Sequence, residues 1–293
     1  MKFQSSEELN IANYLENRDL KVICNYRPKF LQGKEIDIFL PDFNLGIEYN
    51  GTAYHHSSSS EYVDPFILQT TKEPLYHFNK WLNCFDNGIN LINIYDYKWK
   101  DDLNRILNLN VINNLVDLNK KISANNSVIK VITTEVANNF YTYNSESRLL
   151  VKVCKSYGLY KNDLLIGVVS IKKHSESYII CKFSTLLNYK VTNFIKVISD
   201  YIKSDLNINS ILLSINLDSD SQILNYYKDF NLLDPELTWV KLSPKLTSLN
   251  NPSNKTLEGL FNFKINKYTK VSNELEKLGY LKVYNSGFAN IVI

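Results

Sequence analysis

The chain has 293 residues, of which 44% are hydrophobic and 22% charged, and its formal net charge is +3. That balance excludes a disordered or fibrous chain and leaves apolar surface for two cores. So small a net charge confines any nucleic-acid footprint to a local basic patch. From the amino terminus, Ser5 and Glu8 have capping-box spacing ahead of Leu9, Ile11, Ala12, Tyr14 and Leu15, which predicts an amphipathic helix. A short strand over residues 21–24 follows, and then a hairpin over 34–50. Its first arm sets Ile36, Ile38 and Leu40 against Asp37 and Phe39; its second sets Leu45, Ile47 and Tyr49 against Gly46, Glu48 and Asn50. Pro41, Asp42 and Asn44 supply the turn.

The serines at 57–60 begin a loop. Phe78, Trp81, Leu82 and Phe85 recur at helical spacing, and Asn87-Gly88 closes that helix. Residues 89–95 are a nearly continuous apolar run, as in a buried strand, and 101–121 read as a further helix through Leu103, Ile106, Leu107, Val111 and Leu115. The polar stretch 123–127 is the best domain boundary. Beyond it come a strand at 127–132, a helix at 134–140, extended stretches at 151–155, 158–160 and 164–171, and a strand at 178–183. Helices at 192–203 and 221–230 then alternate with strands at 211–217 and 238–242, and a short strand ends the chain. The fold class is therefore α/β (α+β), with domains at 1–122 and 127–293.

The four cysteines are scattered, without CxxC spacing, which suits reduced core residues. The amino terminus lacks the apolar stretch of a signal peptide, and no run reaches membrane-spanning length. A cytoplasmic protein with no membrane partner is expected.

With the hairpin turn centred between residues 42 and 43, Asp37 falls across from Glu48. Like charges at that spacing destabilise a sheet. A solvated outer face is the ordinary reading of such a pair. A divalent cation held between them is the functional one.

The order of Glu8, Asp37, Glu48 and His55, in the stretches GKEIDIF (33–39) and GIEYNGTAYH (46–55), resembles the very-short-patch repair branch of the PD-(D/E)XK nucleases, and its phage homing-type relatives more closely. YHFNK at 76–80 and LINIYDYKW at 91–99 extend the resemblance over roughly the first 120 residues. It implies a mixed sheet flanked by helices and a Mg²⁺-dependent endodeoxyribonuclease acting on double-stranded DNA, with Mn²⁺ able to substitute. Asp37 and Glu48 would hold the metal, and His55 would be the base. Glu8 would contact metal-bound water, and His77 would support the scissile phosphate. Asn50 stands where the wider motif has lysine. A base at His55 would make the rate rise through a pKa near 6.5.

Arg27, Lys29, Lys34, Lys80, Lys98, Lys100 and Trp99, with Tyr26, Tyr54 and Tyr97, are candidates to grip DNA. The second half, through YGLYKNDL (157–164), YYKDFNL (226–232) and GYLKVYNSG (279–287), resembles an N-acetyltransferase fold. The family's glycine pair before the long helix is Val191-Thr192 here, so acetyltransferase activity and a small-molecule cofactor are not expected. A homodimer is left open. The alternatives are a catalytically decayed DNA-binding protein and an acyltransferase with a nuclease-like appendage. A chain ending near residue 121 is expected to fold by itself.

Overall fold

The computed structural model describes residues 5–99, 103–115, 121–145, 155–175, 177–242, 247–266 and 269–293. Helix α1 (Ser6–Glu16) begins where the Ser5 hydroxyl accepts the Glu8 N–H at 3.1 Å and donates back to Glu8 Oε1 at 3.0 Å. Its inner face buries Ile11, Ala12 and Leu15. Strands β1 (Ile23–Tyr26), β2 (Ile36–Leu40) and β3 (Leu45–Asn50) pair antiparallel in that order. The chain then runs through α2 (Pro65–Leu68) and α3 (Tyr76–Asp86) into β4 (Asn90–Tyr95), parallel to β3, and ends this stretch in α4 (Asp96–Trp99). A parallel neighbour requires a long crossover, which α3 supplies.

Ile38 faces Ile47 and Leu40 faces Leu45, so Asp37 does fall opposite Glu48. Asn44 closes the turn at φ 48°, a left-handed conformation that asparagine tolerates. At Gly46 a Cβ would lie 2.8 Å from a Leu91 methyl, so a larger residue there would push the buried Leu91 and Ile36 side chains aside.

The next stretch differs from the single helix expected at 101–121. Helix α5 (Leu103–Ile106) passes into a π turn over Leu107–Val111 and a 3-10 turn over Ile112–Leu115; residues 101–102 and 116–120 lie outside those described. Strands β5 (Lys121–Ser123) and β6 (Val128–Ile132), α6 (Thr134–Asn144), β7 (Lys155–Lys161), β8 (Leu164–His174), β9 (Ser177–Thr185) and β10 (Lys190–Thr192) follow. Then come α7 (Phe194–Leu206), β11 (Leu212–Asn216) and β12 (Asn231–Leu233). The extended stretch expected at 151–155 lies outside the described residues up to 154. The helix expected at 221–230 is a 3-10 turn over Ser221–Tyr226.

The last stretch holds β13 (Leu237–Lys241), β14 (Thr247–Asn250), α8 (Asn254–Phe261), α9 (Val271–Lys277), β15 (Tyr280–Tyr284) and β16 (Phe288–Val292). The sheet of seven strands has the order β12-β16-β11-β9-β8-β7-β6; β6 to β9 are an antiparallel meander, and β11 joins β9 in parallel. A separate sheet has the order β14-β13-β15.

The chain forms two compact units, and both are discontinuous. The first comprises Met1–Asp101, Asn216–Ser221 and Leu233–Phe288; the second comprises Asp102–Ile215, Gln222–Leu232 and Ala289–Ile293. The compact units thus interleave along the chain, whereas 1–122 and 127–293 divide it once. The first unit buries Ile36, Ile38, Ile47, Trp81 and Ile92, and packs Tyr95 with Val240 and Val283. Trp239, Leu257, Leu275 and Tyr280 form a further cluster there. The second unit buries Tyr157, Val168, Ile180, Ile198 and Leu213. Among the described residues no helix is long and apolar enough to cross a membrane.

Candidate functional site

Strand alternation puts Asp37 and Glu48 on the face of the first sheet that α3 covers. The helix turns His77, Lys80, Trp81 and Cys84 inward, at i, i+3, i+4 and i+7. The stripe expected from Phe78, Trp81, Leu82 and Phe85 is therefore rotated, and only Trp81 of those four is fully buried. Lys80 meets Glu48 Oε2 in a buried ion pair. The other Glu48 oxygen accepts the Asp37 N–H at 3.2 Å, and Asp37 Oδ2 accepts the Tyr49 N–H at 2.8 Å. Asn50 donates to Asn93 Oδ1 at 2.9 Å, and Asn93 donates to the Ser286 hydroxyl at 3.0 Å.

Burial raises Asp37 well above the usual carboxylate range, and the charge of Glu48 adds to this against the pull of Lys80 and the Tyr49 N–H. Burial also raises Glu48, with Lys80 opposing it. On Lys80, burial acts downward, but Glu48 and its neighbours outweigh it and favour the ammonium. The floor of the site therefore carries one buried ion pair beside a carboxyl whose pKa burial and the neighbouring Glu48 charge push upward.

His55 and His77 lie beside this floor, their ring centres 5.3 Å apart. His77 also meets Tyr76 and Tyr95 edge to face, at 5.2 and 5.5 Å. Burial pushes His55 down to about 3, with Lys72 and Lys80 adding to it, and pushes His77 well below its ordinary value. The expected titration of His55 near 6.5 is thus corrected: the ring is neutral across the physiological range. His55 Nδ1, His77 Nε2 and Asn50 Oδ1 are buried without a hydrogen-bond partner, so this polar layer has unused bonding capacity. Glu8 is buried at the start of α1, bound to Ser5, and its charge reaches Asp37.

A cleft of about 320 Å³ opens over the floor, lined by Arg27, Lys34, Glu35, Tyr54, His55, Thr70, Lys72 and Tyr76 above Asp37, Glu48 and Lys80. Arg27 is exposed and pairs with Glu35. Lys29 is exposed at the first position of a 3-10 turn. Of the other residues expected to grip DNA, Lys80 points inward to Glu48, and Lys98 binds the buried Asp218 at 3.3 Å. The Trp99 side chain and Lys100 lie outside the described residues. Thr70, Lys72 and Tyr76 join the cleft without standing out in the sequence as site residues. The loop that carries Thr70 and Lys72 has no periodicity, and Tyr76 is the first residue of α3, so only the return of this stretch over the cleft reveals them.

The loop is tied down from far along the chain. Ser57 N–H donates to the Lys282 carbonyl at 2.7 Å, and Lys282 N–H donates to the Ser58 hydroxyl at 2.7 Å. Asp96 accepts from both the N–H and the hydroxyl of Thr52. The stretch carrying His55 is therefore fastened at one side to α4 and at the other to β15.

A Mg²⁺ ion asks for near-octahedral oxygen ligands. Here Glu48 has both oxygens engaged and Asp37 has one, and among the described residues no three acidic, histidine or cysteine side chains gather as a metal-holding group. The residues present do not fit the ion; the positive charge beside the carboxylates is the Lys80 ammonium. In the second unit the entrance of α7, with Val191-Thr192, is strand β10 paired with β5.

No family model matches the chain. No curated protein matches it in sequence. Solved structures do. An IAA acetyltransferase from Bacillus cereus is 15% identical with a TM-score of 0.32, over 38% of this chain and 81% of that one. An acetyltransferase of Bacillus subtilis in complex with CoA is 12% identical with a TM-score of 0.33, over 57% and 97%. A GNAT family acetyltransferase from Elizabethkingia anophelis with acetyl-CoA bound is 11% identical with a TM-score of 0.30, over 58% and 98%. All three are acetyltransferases. The expectation of a Mg²⁺-dependent endodeoxyribonuclease has no counterpart among these three neighbours.

The raised pKa of Asp37 has a consequence for stability. A carboxyl whose pKa is higher folded than unfolded favours folding below its unfolded value, and that contribution is lost as pH rises through the folded value. Asp37→Asn keeps an acceptor for the Tyr49 N–H and removes the titration. Urea unfolding should show the variant more stable than the parent at pH 8, and the gain should shrink at pH 5. A variant less stable at pH 8 would mean that Asp37 is ionised and held by a cation.

Proposed function

We propose that the first unit binds double-stranded DNA through this cleft and does not hydrolyse it. The observation that carries this reading is the layering of charge. Lys34, Lys72 and Arg27 stand at the rim, while Glu48 beneath is paired with Lys80 and Asp37 accepts the Tyr49 N–H. A phosphate backbone approaching the rim meets excess positive charge and no exposed anionic floor. Tyr54, well exposed at the rim, offers an aromatic face for sugar or base. The sheet β1-β2-β3-β4 and its carboxylate hairpin are in keeping with a nuclease-like domain used for binding alone.

The test is fluorescence anisotropy on a labelled duplex over a range of salt, with EDTA and with Mg²⁺. Binding should weaken steeply with salt, and Lys34→Gln and Lys72→Gln should each reduce the salt slope by about one. The label should remain on intact strands in a denaturing gel. Absence of binding at low salt overturns the reading, and so does strand cleavage in Mg²⁺.

A further inference from the structure

Two lysines converge on one ring at the mouth of the cleft. Lys34 Nζ is 4.9 Å and Lys72 Nζ 5.3 Å from the centre of the Tyr76 ring, so the two ammoniums are no more than about 10 Å apart, the sum of those distances. Neither has an ion-pair partner among the described residues. The carboxylates of the cleft are already engaged: Glu35 by Arg27, and Glu48 by Lys80. Asp37 accepts from the Tyr49 N–H. The buried Nδ1 of His55, without a partner, borders the same space. Two like charges held against one ring repel each other, and the π face offsets this only in part.

The complement of two unpaired ammoniums is a dianion. A phosphodiester carries one negative charge, whereas a phosphomonoester carries nearly two at neutral pH. We propose that Lys34, Lys72 and Tyr76 form a subsite for a terminal phosphate, so that DNA ends bearing a phosphomonoester are held in preference to uninterrupted duplex. This rests on the DNA-binding reading above. The second charge, acting on both ammoniums near the surface, should be worth roughly tenfold in affinity.

The experiment is a competition in anisotropy among three forms of one sequence: a duplex with 5′-phosphate ends, the same duplex with hydroxyl ends, and a closed circle. The full chain should prefer the phosphorylated end by about tenfold. The doubly substituted Lys34→Gln, Lys72→Gln chain should bind all three alike. Lys172→Gln, on the exposed end of β8, should leave the preference intact. In calorimetry, methyl phosphate should bind the parent and not the double variant. Equal binding of end and circle by the parent overturns the subsite while leaving DNA binding in place. Loss of all DNA binding with methyl phosphate still held overturns the DNA reading and keeps the anion site.

Discussion

Lys80→Met is expected to destabilise the protein by roughly 3–5 kcal/mol, the usual cost of leaving a buried charge without its partner. Lys80 and Glu48 are almost wholly buried, at 4% and 2% side-chain exposure, and each is the other's counter-ion. Methionine fills the space of the lysine stem but leaves Glu48 facing Asp37 with no cation between them. Glu48→Gln alone should cost a similar amount, because it strands the ammonium. The double variant should recover most of the loss, since two neutral groups of the same shape are far cheaper to bury than one charge. A double-mutant cycle in urea at pH 7 measures this as strong coupling. Additive losses would mean that another group, a bound cation included, compensates Glu48.

The second large effect concerns the segment 233–288. A chain ending at residue 121 should show no cooperative thermal transition, contrary to what the sequence suggested. The first unit takes Val240 and Val283 into a cluster with Tyr95, and all three are buried. Asn93 N–H donates to the Asp218 carbonyl at 2.9 Å, and the Ser57–Ser58 loop is fastened to Lys282. Each large apolar side chain removed from water contributes about 1.5–3 kcal/mol. Losing these contacts and the Trp239–Tyr280 cluster removes a sum comparable with the whole stability of a domain, about 5–15 kcal/mol. Circular dichroism melting of the truncated chain decides the point, and a sharp transition like that of the full chain would refute it. Val283→Ala in the full chain is the milder version, expected to cost about 1–3 kcal/mol.

What was legible in the sequence was local. The hairpin register followed from alternation and a turn at 41–44, and with it the meeting of Asp37 and Glu48. The α1 cap followed from Ser5 and Glu8. The inward turn of Lys80 was not legible, because a lysine on a helix is ordinarily read as its wet face. The signal that could have found it is the three-residue step from His77 to Lys80 to an apolar Cys84 next to Trp81, a stripe with two polar members opposite two carboxylates. The low pKa of His55 was out of reach as well, since it depends on burial by a loop with no periodic pattern. The discontinuous units were hidden for a different reason. Residues 233–288 have strand and helix patterns of their own, and nothing in such patterns tells which core they join.

The interleaving of the units also bears on the order in which the protein is made. Residues are added from the amino terminus at roughly 5–20 per second, so the ribosome delivers Asp101 roughly ten to forty seconds before Phe288. Throughout that interval the segment with Asp37 and Glu48 lacks Val283 to pack against Tyr95 and Lys282 to fasten the His55 loop. An interrupted translation product would carry every residue of the cleft's lining and yet lack the segment that fixes their positions, so only a chain read nearly to its end acquires the site.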